Sequence, residues 1–166
     1  MQLTLRLARK VGHIEVAPED AGVAIWTEPG VPLLSDPAPF MDLLSQWAPD
    51  RMDAALEGMA ACARHVPSGA ATLHVIAVRP SHRGQGIGAH LVRPWLDELD
   101  AQGRVGHLES SNPRNVSFYQ RAGFAVLARV EVPDGGPVML PMARPAAGRR
   151  QGPVGSPLTA DWFSVD

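Results

Sequence analysis

Apolar and polar positions along this chain change period several times, and each change marks an element. Leu3 and Leu7 stand four apart, which predicts a short helix over residues 1–10. Residues 13–17 and 22–27 read as strands, and Pro18-Glu19-Asp20-Ala21 between them predicts an antiparallel hairpin. Four prolines between residues 28 and 39 make that stretch a loop. Over residues 40–66, Leu43, Leu44, Trp47, Met52, Leu56, Met59 and Ala63 recur at helical spacing with a break near Pro49. Two helices are expected there, with Met52, Leu56 and Met59 packed in the core or lining an apolar pocket. A strand over residues 73–78, LHVIAV, leads into RPSHRGQGIGAH. Ile87, Leu91, Trp95 and Leu99 then form one stripe, so residues 86–102 predict a helix that Gly103 stops and Pro94 kinks. A strand over residues 105–109 follows, and Asn112-Pro113 has the form of a helix N-cap with proline at the first helical position. That helix ends at Gly123. Residues 124–132 and 138–143 are strand-like around Pro133-Asp134-Gly135-Gly136-Pro137, a second hairpin. From residue 145 onward no apolar period remains, which reads as a flexible tail with Trp162 and Phe163 as its docking residues.

Composition narrows the class. A chain of 166 residues suits one domain able to bury about 70% of its unfolded surface, expected over residues 1–144 with a tail over 145–166. The lone Cys62 excludes an internal disulfide and zinc-finger spacing, so a reduced, cytoplasmic setting is expected. The 15 Lys+Arg against 17 Asp+Glu give a net charge of -2, and no basic run exceeds Arg149-Arg150. That balance argues against nucleic acid as a partner. No apolar run approaches the ~18 to 20 residues of a membrane span. His13, His65, His82, His90 and His107 show no spacing that builds a metal site, so no metal is expected.

The glycine-rich turn carries the first chemical signal. Arg83-Gly84-Gln85-Gly86-Ile87-Gly88 sits between a strand and a helix, where free backbone N–H groups and the helix dipole hold a phosphate. Two ligand classes compete for it. As G-x-G-x-x-A, Gly84, Gly86 and Ala89 meet a dinucleotide fingerprint, with Glu109 at the end of the next strand as ribose acceptor. Against that, Arg79 to Arg83 intervene between strand and first glycine, and no further series of βα units completes a doubly wound sheet. As R-x-x-G-x-G, Arg83, Gly86 and Gly88 read instead as a diphosphate turn with one fixed positive charge.

In that second form, LHVIAVRPSHRGQGIGAHL followed by HLESSNPRNVSFYQRAGF resembles the acetyl-CoA-binding core of the GNAT superfamily of N-acetyltransferases. VAIWTEP at 23–29, LESSNPRNVSFYQRAGF at 108–124 and the closing VEVPDGGP look most like the puromycin N-acetyltransferase type. The resemblance covers residues 5–144. It implies an α/β (α+β) GNAT fold: a mixed, mostly antiparallel central sheet with a parallel, splayed strand pair and flanking helices. It implies an acyltransferase that moves an acetyl group from acetyl-CoA to a small-molecule amine by direct attack in a ternary complex. A catalytically silent acyl-CoA-binding module is the alternative. Relatives begin with a strand and a helix that residues 1–10 do not match, so the domain is expected to be short at its N-terminal edge. Many relatives dimerise, which leaves a homodimer open.

The resemblance also assigns roles. The diphosphate maps onto Arg83, Gly84, Gln85, Gly86, Ile87 and Gly88, with Ala89 opening the helix. Ile76, Ala77 and Val78 lend main-chain contacts to the pantetheine arm, and a backbone N–H near Val78 polarises the thioester carbonyl. Tyr119, the only tyrosine, matches the residue that protonates the departing thiolate; its other reading is a core aromatic beside Phe118 and Phe124. Asn115 and Asn112 face the cofactor or simply cap and open the helix. Two bases compete. His74 resembles the second histidine of the H-x-H-x-x-x-V stretch of arylalkylamine N-acetyltransferases, Thr72 taking the first place, yet it also fits a packed strand histidine. Glu109 fits a base acting through water or a buried partner of Arg114. Trp26 and Glu28 are expected to offer an aromatic wall and a carboxylate to a cationic acceptor.

Overall fold

A computed structural model describes residues 12–33 and 36–146. The helix expected over residues 1–10 and the tail beyond residue 146 lie outside the described residues. The first hairpin forms as the alternation implies: β1 (His13–Val16) and β2 (Gly22–Thr27) pair antiparallel, with His13 opposite Trp26. Its turn places Glu19 and Asp20 at φ of 58° and 53°, a region that costs non-glycine residues. Arg79 offsets that cost by donating its Nε–H to the Asp20 carbonyl at 2.7 Å.

Helices α1 (Ala38–Trp47) and α2 (Met52–Ala63) follow, divided at the expected place by a 3₁₀ turn over Pro49–Arg51. Their buried face is not the expected one. Trp47 is 79% exposed and Leu43, Leu56 and Met59 also stand in solvent, while the residues that α2 buries are Ala54, Gly58 and Cys62. Those three recur every four residues and are small, which lets the helix approach the second hairpin closely. A Cβ at Gly58 would stand 2.7 Å from Val132 Cγ2. Side-chain size thus overrides apolar periodicity in choosing the inner face.

The remaining strands are β3 (Ala71–Val78), β4 (Gly106–Ser110), β5 (Ala125–Val126), β6 (Val130–Glu131) and β7 (Val138–Arg144). They complete a mixed sheet of order β1-β2-β3-β4-β7-β5, in which β3 and β4 are parallel and every other pair is antiparallel. The strand expected over residues 124–132 is interrupted. β5 and β6 both pair with β7, but Val126 faces Met142 and Val130 faces Met139, so the stretch between them holds one residue more than its partner.

Helix α3 (Ile87–Gln102) connects β3 to β4 and runs as one element through Pro94. Its stripe lies where the spacing puts it, with Leu91, Trp95 and Leu99 at most 2% exposed. Trp95 stacks on Phe124 at 5.7 Å and meets Trp26 at 6.5 Å, which links α3 to both halves of the sheet. Each such side chain contributes about 1.5–3 kcal/mol of burial. Helix α4 (Val116–Arg121) packs beside it through Val116 and Tyr119. No described helix is long and apolar enough to cross a membrane.

The seat of α3 on the sheet depends on one glycine. A Cβ at Gly22 would stand 2.7 Å from the Ala77 carbonyl oxygen and 2.9 Å from Leu91 Cδ1. Because the first of these atoms is main chain, Gly22→Ala is expected to cost about 1–3 kcal/mol. Denaturant unfolding monitored by tryptophan fluorescence measures the loss.

Candidate functional site

The site grows from the pairing of β3 with β4. That ladder covers three positions, Ala71 with Gly106, Thr72 with His107 and Leu73 with Leu108. β3 then continues five residues to Val78, paired on its other side with β2, while its β4 side is left open. At the fork β3 is also bulged: Ile25 faces Val75 and Trp26 faces Leu73, so His74 is the extra residue.

A cleft of about 990 Å³ opens along the free edge of β3 and runs between α3 and α4. Ile76, Ala77 and Val78 form one wall. The turn supplies Arg83, Gly84, Gly86, Ile87, Gly88 and Ala89; Asn112, Asn115 and Tyr119 close the opposite side. Gly84 and Gly86 hold φ of 76° and 79°, conformations that favour glycine, and Gly86 caps α3. The first-turn N–H groups of α3 lack intrahelical partners and lie at this end. Gln85 is turned elsewhere: its amide donates to the Ser81 carbonyl at 3.3 Å, and it lines a smaller cavity of about 410 Å³ beside His82 and His90.

The cleft is strongly cationic. Arg83, Arg93, Arg114 and Arg121 line it and no carboxylate does. Arg93 is bonded to Asp97 at 2.8 Å, whereas Arg83, Arg114 and Arg121 have no carboxylate partner among the described residues. Sequence reasoning singled out Arg83 alone. Arg114, between Asn112 and Asn115, carried a local signal; Arg93 and Arg121 carried none, because their approach to the turn is made by helix packing.

Tyr119 is 7% exposed and meets both neighbours edge-on, Phe118 at 5.1 Å and Phe124 at 6.3 Å. It is therefore a core aromatic and a cleft residue at once. Burial raises its phenol pKa above the ordinary value, which keeps it protonated at neutral pH. Asn112 caps the following turn, its Oδ1 accepting from the Arg114 N–H at 3.0 Å, and also lines the cleft.

His74 and Glu109 do not line the cleft. They are the first residues past the ladder on each strand, and both are exposed, although they belong to central strands whose neighbours are mostly buried. Protein crowding the imidazole lowers the His74 pKa to about 4, so it is neutral at pH 7. Desolvation raises the Glu109 pKa. Glu109 makes no ion pair with Arg114 among the described residues. Beside these two lies His107, fully buried, with neither ring nitrogen hydrogen-bonded. Burial first, then the nearby His74 and His65, push its pKa down to about 4. Cys62 of α2 approaches the same face; burial and the Glu109 charge push its thiol up to about 11.

Trp26 and Glu28, expected at an acceptor site, are placed otherwise. Trp26 is 4% exposed, in the core between His13, stacked at 5.6 Å, and Trp95. Glu28 is bound by Arg104, with His13 at 3.4 Å. Because β2 is antiparallel to β3, both sit away from the glycine turn, at the end of β3 where Trp26 pairs with Leu73 and the fork begins. Trp26 is thus taken up by the core, while Glu28 is engaged by Arg104.

Residues 50–126 match the family model described as an acetyltransferase (GNAT) domain. Over 64 residues the chain is 36% identical to a mycothiol acetyltransferase of Streptomyces avermitilis, which covers 37% of this chain and 21% of that protein. The chain thus spans about a fifth of that relative. Among solved structures, a histone acetyltransferase HPA2 and related acetyltransferase from Corynebacterium glutamicum superposes with a TM-score of 0.62 at 24% identity, covering 88% of this chain and 76% of that one. Arylalkylamine N-acetyltransferase 2 from Aedes aegypti superposes at 0.59 and 12% identity, with 87% and 77% covered. The fold is the GNAT fold, and the likeness to the acetyltransferase family model extends over residues 50–126. The neighbours are varied and do not single out the puromycin type.

His107 carries a pH signature. Its folded pKa of about 4 lies below the ordinary 6.5, so the unfolded chain binds that proton first. Its contribution is constant above pH 6.5 and is lost as pH falls toward 4, at about 1.4 kcal/mol per pH unit. His107→Met removes both the titration and the unpaired ring nitrogens. It is expected to match the parent at pH 7 and to lose less stability by pH 5, read from denaturant midpoints at each pH.

Proposed function

We propose that this chain is an acetyl-CoA-dependent N-acetyltransferase whose acceptor is the amine of a small molecule, antibiotic-like or metabolic, reacting by direct attack in a ternary complex. The observation that carries the reading is the fork: a cationic cleft reaches along the free edge of β3 to a point where two exposed, proton-accepting side chains stand on the other side. A diphosphate and a further phosphate fit a cleft with four arginines and no carboxylate. The open edge of β3 supplies a ladder for the two amides of a pantetheine arm at Ile76, Ala77 and Val78. The volume of the cleft is also at the upper end for a small-molecule site.

The residues then divide the reaction. Main-chain N–H groups near Val78 draw charge from the thioester carbonyl. The acceptor enters from the His74 and Glu109 side, where Glu109 attracts the ammonium and neutral His74 takes a proton from it. The freed amine nitrogen bonds to the carbonyl carbon and loses its second proton to solvent as the carbon–sulfur bond breaks, and His74 returns its own proton to solvent. Tyr119, kept protonated by burial, gives its proton to the thiolate and recovers one from solvent. The names of the mycothiol and arylalkylamine enzymes favour a small amine, and that of the histone enzyme a protein amine. Free Cys62 fits a reducing, cytoplasmic setting.

Thiol release from acetyl-CoA, followed against a panel of small amines and a histone-tail peptide, tests the assignment. Acceleration by an amine supports it; acetyl-CoA binding without turnover on any acceptor would favour a silent binding module. Tyr119→Phe is expected to lower kcat about 100-fold and to leave acetyl-CoA affinity within about twofold. Arg114→Ala should do the reverse, weakening acetyl-CoA about tenfold with a shallower salt dependence, as befits one lost phosphate contact. Isothermal titration at two ionic strengths separates the two variants.

A further inference from the structure

The glycine turn is held in place by few contacts. Ser81, Arg83, Gly84, Gln85 and Gly86 are exposed, and a Cβ added at Gly84 or Gly86 would meet nothing within 4 Å. Behind the turn lies the smaller cavity of about 410 Å³, whose far wall is the β1–β2 hairpin turn at Ala17, Pro18, Glu19 and Ala21. The tie across is Arg79, the residue that follows β3. Its main-chain N–H donates to the Ala21 carbonyl at 2.8 Å, and its Nε–H donates to the Asp20 carbonyl at 2.7 Å. A guanidinium only donates and a carbonyl only accepts, so the direction of the second bond is fixed. Among the described residues, every other hydrogen bond of residues 80–86 stays within the turn or belongs to α3. The hairpin turn in its own right needs support. The Ala21 N–H closes it on the Pro18 carbonyl at 3.1 Å, and its central residues, Glu19 and Asp20, both stand at positive φ. That backbone suits Asn-Gly, whereas Glu-Asp is strained in it.

We propose that Arg79 is a positioning residue for the diphosphate site. Its side chain holds the hairpin turn in the strained form that presents the Ala21 carbonyl to the Arg79 N–H, and that pair fixes where the glycine turn leaves the sheet. The turn is stiff within itself, through the 3₁₀ turn over Pro80–His82 and the Gln85 bond to Ser81. Its placement is therefore set at its two ends. One end is α3, seated in the core by Leu91 and Trp95; the other is Arg79. Arg79 does not line the cleft, where Arg83, Arg93, Arg114 and Arg121 stand, so its part is to place the first-turn N–H groups of α3 and not to touch the anion. A hairpin turn that meets no phosphate thus governs how well the phosphate is held.

The inference rests on the glycine turn holding the diphosphate of acetyl-CoA, and its test separates the two ideas. Nitrogen-15 relaxation of the ligand-free protein reads the turn directly. Arg79→Met keeps the stem and removes the donors; it should lower the order parameters of Gly84, Gly86 and Gly88 toward about 0.6 while Leu91 to Leu99 stay near about 0.85. Acetyl-CoA affinity should fall about fivefold, as for one exposed hydrogen bond, with kcat at saturation within about twofold of the parent. Glu19→Asn with Asp20→Gly gives the hairpin turn a sequence that needs no tie. In the Arg79→Met background that pair should restore the affinity, and in the parent it should change affinity less than about twofold. Parental order and affinity in Arg79→Met overturn the proposal. A hairpin change that raises affinity equally in both backgrounds, or in neither, does the same, since Arg79 would then act through its charge or not through the hairpin at all. Failure of the parent to bind acetyl-CoA would instead remove the cofactor reading, while the relaxation data would still report whether Arg79 orders the turn.

Discussion

The early end of the β3–β4 ladder is the constraint on which the rest depends. Two neighbouring parallel strands would ordinarily pair along their common length, because an unsatisfied backbone group in a protein interior costs a lost hydrogen bond. Here pairing stops after Leu73 and Leu108, and β3 goes on with one edge open. The structure tolerates this because the open edge borders a cleft instead of core. The chain leaves β4 at Ser110, whose hydroxyl donates to the Asn112 carbonyl at 3.0 Å, and turns at once into the Pro113–Asn115 3₁₀ turn and α4. Phe118 and Ile76 meet near Gly88, where an added Cβ would touch them at 3.6 and 3.7 Å, so apolar contact joins the fork to the head of α3. Main-chain groups on such an edge are free to bond an added strand.

The two sides of the fork differ in charge as well as in shape. On the cleft side, arginines from the turn, α3 and α4 converge without a carboxylate among them. On the other side, His74 and His107 are held neutral with pKa values near 4, and Cys62 stays a thiol with a pKa of about 11. Glu109 is the acid among these neutral groups, and its pKa is raised because it is partly desolvated. In the proposed reaction a polyanion is drawn to one side and proton transfer takes place on the other, away from the arginines. Crowding by protein keeps the His74 imidazole neutral across the physiological range, and the same crowding makes it a weaker base than a free imidazole.

Much of the scaffold was legible in the residues. The glycine turn between a strand and a helix, the stripe of Leu91, Trp95 and Leu99 and the first hairpin stand where local pattern put them, because spacing and turn chemistry act over a few residues. The inner face of α2 was not legible. Apolar periodicity selected Leu56 and Met59, but close approach to Val132 needed Ala54, Gly58 and Cys62. The burial of Trp26 was not legible for a related reason, since strand alternation does not say how completely a helix covers a given face. Arg93 and Arg121 were missed because their nearness to Arg83 is a product of two helices packing on one strand pair.

By itself the sequence determined which chemistry is present: a turn able to hold phosphate, one tyrosine, a histidine and a glutamate on consecutive strands, and the local patterns that build them into a βαβ frame. It could do so because φ preferences, helix periodicity and side-chain acidity belong to residues and short segments. Tertiary structure decided where that chemistry is exposed and what stands next to it. The bulge at His74, the three-position ladder, the hydroxyl of Thr27 on His74 Nε2 and the unpaired burial of His107 all join residues tens of positions apart. Such contacts depend on register between strands, and register is settled only when the whole sheet and the helices covering it find a common packing.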